Sequence, residues 1–206
     1  MIIGLSHITF NCVDFENQLE RWVELGWTEL FSERDVLNHP VKLPFLNKYE
    51  PTHHLRVLER PGYNTIEIVQ HGDQIFESNN VYQRVGDGVV KVNCYKYHDS
   101  LDFWCDHVEF TEDGDCLFKS SPFTHWNCRL RLESANEPPI SKLDNTGVSC
   151  LAFYTTDISK DTASLGKKAK SVSEEFDLLV NGKKLRISMI EGPSSEFIEL
   201  IGFDQK

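Results

Sequence analysis

Three stretches of the chain share one pattern of apolar and polar positions. Each opens with glycine and an apolar-rich run containing few strand breakers: GLSHITFNCV (4 to 13), GVVKVNCYKY (88 to 97) and GVSCLAFYTT (147 to 156). Such runs predict strands. An aspartate follows each and precedes apolar residues at helical spacing: Asp14 before Phe15, Leu19, Trp22 and Val23, Asp99 before Leu101, Trp104, Cys105 and Val108, and Asp157 before Ile158, Thr162, Leu165 and Ala169. The spacing predicts three amphipathic helices with acidic N-caps. Gly26 offers a left-handed residue where the first should end.

Further strand-like runs follow each helix: TELFSERDV, HHLRVLER and NTIEIVQ, then CLFKSS and HWNCRLRLES, then SEEFDLLV, KKLRISMIE and EFIELIGF. Asn181-Gly182 sits between two of them, and a type I′ hairpin turn needs positive φ at both of its central positions. The connectors 72–87 and 134–146 are polar and turn-rich, and Pro138-Pro139 suits neither a helix nor a central strand. The repeat therefore predicts an α+β fold of βαβββ modules, with curled mixed sheets and helices on the outer face. The modules are 1–72, a second, shortened one at 88–134, and a third at 147–206, pairing into one or two compact domains.

The 206 residues are 40% hydrophobic, enough for a packed core, and carry a formal net charge of −11. That charge repels phosphate backbones and anionic surfaces, so neither nucleic acid nor a membrane is an expected partner. No stretch approaches the length of a membrane span, and the start lacks the basic and apolar regions of an export signal. Six single cysteines (Cys12, Cys94, Cys105, Cys116, Cys128, Cys150) form no Cys-x-x-Cys pair, which fits a reducing cytoplasm and not a disulfide scaffold. Nucleotide-loop, Gly-x-Ser-x-Gly and His-Glu-x-x-His motifs are absent from the sequence.

Within the opening strand, period-two alternation puts Leu5, His7, Thr9 and Asn11 on one face and Ser6, Ile8, Phe10 and Cys12 on the other. Glu67 likewise points away from Ile66 and Ile68. A neutral imidazole and a carboxylate from neighbouring strands suit zinc, nickel, iron or manganese.

The module pattern, and above all GLSHITFNCVDFENQLERWVELGW (4 to 27), NTIEIV (64 to 69) and SLDFWCDHVEF (100 to 110), resembles the vicinal oxygen chelate superfamily of glyoxalase I, bleomycin-resistance proteins and extradiol dioxygenases. The resemblance implies that paired modules curl their sheets into a cup, with a divalent metal held by residues of the first and last strands of each module. It places His7 and Glu67 at such positions in the first module. The matching positions are Lys91 and Arg131 in the second module and Cys150 and Glu199 in the third. A protonated Lys or Arg has no lone pair to ligate with, so the second module is expected to hold no metal. As a thiolate Cys150 is a candidate ligand; otherwise it is a small core residue. Glu199 is the candidate catalytic proton carrier, since partial burial would raise its proton affinity.

Lys91, Tyr95, Arg129 and Arg131 share a polar sheet face in the second module, which reads either as an anion clamp or as a solvated face. Three pairings stay open. First with third gathers His7, Glu67, Cys150 and Glu199; first with second sets Lys91 and Arg131 beside His7 and Glu67; second with third leaves the first module to meet its copy in a homodimer. His53 and His54 are adjacent, so one could add a ligand; His39, His71, His98, His107 and His125 are given no role. The leading expectation is a glyoxalase-like small-molecule enzyme, a lyase, isomerase or dioxygenase. In it a divalent metal on His7, Glu67 and Cys150 stabilises an enediolate-type intermediate, and Glu199 moves the proton. The alternative is a metal-free binder of the bleomycin-resistance type, with Lys91, Arg129 and Arg131 holding an anionic ligand and Tyr95 or Trp126 stacking on it.

Overall fold

The computed structural model describes residues 1–76, 81–84 and 88–203. The connector expected at 72–87 lies partly outside these residues. The first module runs β1 (Ile2–Asn11), α1 (Phe15–Glu24), β2 (Thr28–Leu37), a 3-10 turn (Pro40–Phe45), β3 (Thr52–Glu59) and β4 (Ile66–Gln70). After β5 (Tyr82–Arg84), the second comprises β6 (Val89–Cys94), α2 (Tyr97–Asp102) running into a wider turn (Phe103–His107), β7 (Thr111–Asp113), β8 (Cys116–Lys119) and β9 (Cys128–Ser134). The third comprises β10 (Gly147–Thr155), α3 (Ile158–Leu165), β11 (Ser171–Val172), β12 (Phe176–Val180), β13 (Lys183–Glu191) and β14 (Phe197–Phe203). The class is α+β and the repeating unit is βαβββ.

Local chemistry explains two of the helix starts. The Asp14 carboxylate accepts from the Asn17 N–H and the Asp157 carboxylate from the Lys160 N–H, each satisfying a donor that the first turn leaves unpaired. The second helix departs from expectation. It begins at Tyr97 after Lys96, so Asp99 lies within its first turn and caps nothing. Asn181 (φ 49°) and Gly182 (φ 68°) form the expected turn, joining β12 to β13.

The pairing of modules is first with third. One nine-stranded sheet runs β11-β13-β14-β10-β1-β4-β3-β2, with β12 also paired to β13. Its centre is the antiparallel β1–β10 pair, in which His7 stands opposite Ala152 and Thr9 opposite Cys150. Beside it, Thr9 stands opposite Glu67 in the parallel β1–β4 pair, and Ala152 opposite Glu199 in the parallel β10–β14 pair. Exchanging the modules thus carries His7 onto Cys150 and Glu67 onto Glu199, a local twofold relation. The far edges approach each other: the Asn181 N–H, beside β12, donates to a Glu33 carboxylate oxygen on β2 at 2.8 Å. The sheet is a nearly closed cup.

The second module forms its own five-stranded sheet, β5-β6-β9-β8-β7. Short β7 (Thr111–Asp113) completes its βαβββ order. Its apolar face (Val90, Val92, Leu130), with Trp104 and Phe110, shares one core with Leu5, Ile8, Leu151, Phe153, Ile198 and Leu200 on the outside of the cup. Trp104 is fully buried, its ring centre 5.4 Å from Phe110 and 6.3 Å from Phe153. Each such side chain contributes about 1.5–3 kcal/mol by leaving water, enough to make the second module a fixed backing for the cup. A second apolar cluster (Phe45, Leu55, Cys150, Phe176, Met189, Phe197 among others) lines the interior.

Candidate metal centre in the cup

A register shift in β1 decides where His7 points. Leu5 opposes Phe153 while His7 opposes Ala152, so two residues of β1 span one step of β10. The bulge breaks the simple alternation. Leu5 joins the outer core with Ile8, and not the face of His7, as strict period two had implied.

Inside the cup, ligand-capable atoms of His7, Glu67 and Glu199 all lie within 4.8 Å of one another. His7 Nε2 is 3.3 Å from Glu67 Oε2, with only 11% and 14% of those side chains exposed. Even so, Nε2 has no hydrogen-bond partner of good geometry. Nδ1 of the same ring lies 3.0 Å from Ser6 Oγ. When Nδ1–H donates to that hydroxyl, the Nε2 lone pair is left facing the carboxylates, the tautomer a metal requires. Thr9 Oγ1 donates to Glu67 Oε2 at 3.1 Å and holds that carboxylate in place.

The two carboxylates differ in proton affinity. Burial works to raise Glu67, but the charge and close contact of His7, then Lys42 and the Thr9 hydroxyl, outweigh it and hold Glu67 below the ordinary carboxylate range. Burial and the neighbouring Glu67 charge push Glu199 up, against the smaller pull of Lys42 and His7. Burial would lower His7, but attraction to Glu67 and Glu199 prevails and raises it above 6.5.

Beside Glu67 and Glu199 lies a small cavity of about 30 Å³, lined also by Lys42, His53, His71 and Cys150. Cys150 stands outside the three-residue cluster. Burial, followed by the charges of Glu199 and Glu67, raises its thiol well above the usual range, so it enters the cup as a neutral, apolar group. Of the adjacent histidines, His53 faces in, and His54 faces out to accept from the Asp35 N–H at 3.1 Å. Burial, Lys42, His71 and His54 lower His53 well below 6.5; burial and Lys42 lower His71 to about 3, against a smaller upward pull from Glu67. Sequence reasoning missed Lys42 and gave His71 no role. Both come from segments without periodicity, a 3-10 turn and the residue after β4, whose direction no alternation predicts.

The second module's polar residues lie elsewhere. Lys91 pairs with Glu133 at 2.6 Å, Arg129 with Asp113 at 2.6 Å and Arg131 with Asp115 at 2.9 Å, all within the second module, Asp115 in the turn between β7 and β8. Tyr95 is exposed in the turn after β6. Trp126 packs on Tyr154, with ring centres 4.6 Å apart. The anion clamp expected of these residues is not formed in the cup, because the second module supplies backing and not a wall.

No family model and no curated protein sequence matches the chain. Solved structures do resemble it. A candidate dioxygenase from Bacillus subtilis is 11% identical over 99% of this chain at a TM-score of 0.43, and this chain covers 64% of that one. Glyoxalase I from Zea mays is 11% identical over 97% of this chain and 67% of its own, at 0.40. An antibiotic-binding protein from Streptomyces sp. CB03234 is 19% identical over 56% of this chain and 93% of its own, at 0.35. Likenesses this distant bear on neither activity nor ligand. No helix among the described residues is long and apolar enough to cross a membrane.

Proposed function

We propose that the chain is a small-molecule enzyme of the glyoxalase-like kind, with a divalent metal held in the cup by His7 Nε2, Glu67 and Glu199. The observation that supports it best is the convergence of one imidazole nitrogen with two carboxylates, all within 4.8 Å. Two buried carboxylates this close repel, and His7 can balance only one of them. A divalent cation offsets both negative charges at once. Two oxygens and one nitrogen suit zinc, iron, nickel or manganese.

Such an ion, when bound, polarises adjacent oxygens on a substrate and stabilises negative charge that develops there. The chain's own groups supply the rest. Ser6 fixes the His7 tautomer, and Thr9 fixes the Glu67 carboxylate. Among the described residues no hydrogen bond reaches the Glu199 carboxylate, so the oxygen that an ion would not engage is able to take a proton from carbon beside the substrate oxygens and to return it. The apolar wall of Leu55, Cys150 and Met189 keeps bulk water from that carbon. Lyase or isomerase chemistry is the class this arrangement serves.

Elemental analysis of the purified wild type beside His7→Ala is the test. Near-stoichiometric metal in the wild type and its loss in the variant are expected. A wild type that takes up no zinc, nickel, iron or manganese overturns the proposal, as does a His7→Ala variant that keeps its metal.

A further inference from the structure

The cup has two chemically distinct poles. Opposite in character to Glu67 and Glu199, the side chains of Lys42, His53 and His71 line the same cavity. Lys42 is 7% exposed, and its Nζ sits 5.7 Å from the centre of the Phe176 ring. His53 and His71 are 4% and 7% exposed, with rings 5.1 Å apart at 34°, and neither Nδ1 has a hydrogen-bond partner.

Two imidazole nitrogens without partners and an ammonium, gathered in one buried place, are costly unless something pairs with them. A second cation is excluded there by the charge of Lys42. Charge counting gives the sign of the occupant. With a divalent ion on Glu67, Glu199 and neutral His7, the ion and the two carboxylates cancel, and the Lys42 ammonium is left as the pocket's net charge. We infer that Lys42, His53 and His71 form an anion subsite, so that the ligand of this cup carries a carboxylate at one end and its metal-facing oxygens at the other.

The inference rests on the metal assignment, and the test separates the two. Zinc content is first measured on the loaded wild-type chain. The chain is then titrated with butyrohydroxamate and succinohydroxamate, which share a chelating pair of adjacent oxygens and differ in a terminal methyl or carboxylate. Succinohydroxamate is expected to bind about tenfold or more tightly, the scale of a buried hydrogen bond to a charged group. Lys42→Met is expected to bring the two affinities together at wild-type zinc content. Should that variant fail to fold, His53→Asn and His71→Asn are each expected to narrow the gap, and the wild-type comparison stands without any variant. Equal affinities in the zinc-loaded wild type, or a preference that survives in Lys42→Met, overturn the subsite and leave the metal assignment standing. A chain that retains no zinc overturns the metal assignment and the subsite with it.

Discussion

Glu67 and Glu199 occupy equivalent registers of two parallel strand pairs, one opposite Thr9 and the other opposite Ala152, and their carboxylates meet at His7. Their backbones are symmetric and their electrostatics are not. Thr9 donates to Glu67, whereas the equivalent Ala152 has no hydroxyl to offer Glu199. In the metal-free protein the second carboxylate is therefore held against its own preference.

Glu199→Gln should then stabilise the metal-stripped chain at neutral pH, because it removes a buried charge that Glu67 repels. It should also weaken zinc binding by about tenfold or more. Thermal melts of the stripped protein and competition against a chromophoric chelator measure the two effects. A destabilised variant with unchanged zinc affinity would show that Glu199 is a structural residue and not a ligand.

The strands, the acidic caps of α1 and α3, the Asn181-Gly182 turn and the inward direction of Glu67 and Glu199 all follow from local pattern, because period-two alternation and cap chemistry act over a few residues. What local pattern could not supply was the partner of each module. The choice of first with third is made by the apolar outer faces of β1 and β10, which share the second module as a cover, a contact between residues far apart in sequence. The bulge beside Ser6 was equally hidden, since a one-residue slip leaves composition unchanged. Lys42 and His71 were invisible for a related reason: one is aimed by a short 3-10 turn and the other by the end of β4, where no repeat continues.

Glu196 predicts a pH dependence remote from the cup. It lies fully buried in the turn between β13 and β14, where Oε2 accepts from the Ser194 N–H at 2.6 Å and Oε1 has no partner. Burial, only partly offset by hydrogen bonds from its own backbone, Ser100 and Ser194 and by Lys170, raises its carboxyl from 4.5 to about 7. Between those values the folded chain binds a proton that the unfolded chain has released, so stability falls as pH rises through that window and levels off above it. The loss from this group should reach up to about 3 kcal/mol. Glu196→Gln should flatten this part of the curve and be the more stable form at pH 8, as denaturant unfolding across the range would reveal. A wild-type curve with no decline from this window, unchanged in the variant, would count against the buried acid.

Gly4 marks where the second module's loop meets β1. A Cβ there would sit 2.7 Å from Ser121 Cβ, 2.8 Å from Ser121 Oγ and 3.0 Å from the Trp126 carbonyl oxygen. Ser121 Oγ could turn away, but Ser121 Cβ and the Trp126 carbonyl are fixed by the backbone and cannot do so cheaply. Gly4→Ala should cost about 1–3 kcal/mol through overpacking, and adding Ser121→Gly should restore part of that. Urea unfolding of the single and double variants gives both numbers, and an additive or larger loss in the double variant would locate the strain elsewhere.

The cations of the second module give the contrasting case to Lys42. The Arg129 and Arg131 side chains are 54% and 34% exposed and lie within 2.6 and 2.9 Å of aspartates of the same module. Water and the partner carboxylate already satisfy them, so they exert little pull on a ligand in a cup on the far side of a packed core. Alanine at either position should change stability by less than about 1 kcal/mol, the usual worth of an exposed pair, and should leave both zinc content and the preference for succinohydroxamate at wild-type values. Titration of Arg131→Ala beside Lys42→Met makes the comparison direct. A loss of carboxylate preference in Arg131→Ala would move the anion site to the outer sheet, whereas its persistence there and disappearance in Lys42→Met would tie ligand charge to the one lysine the fold buries inside the cup.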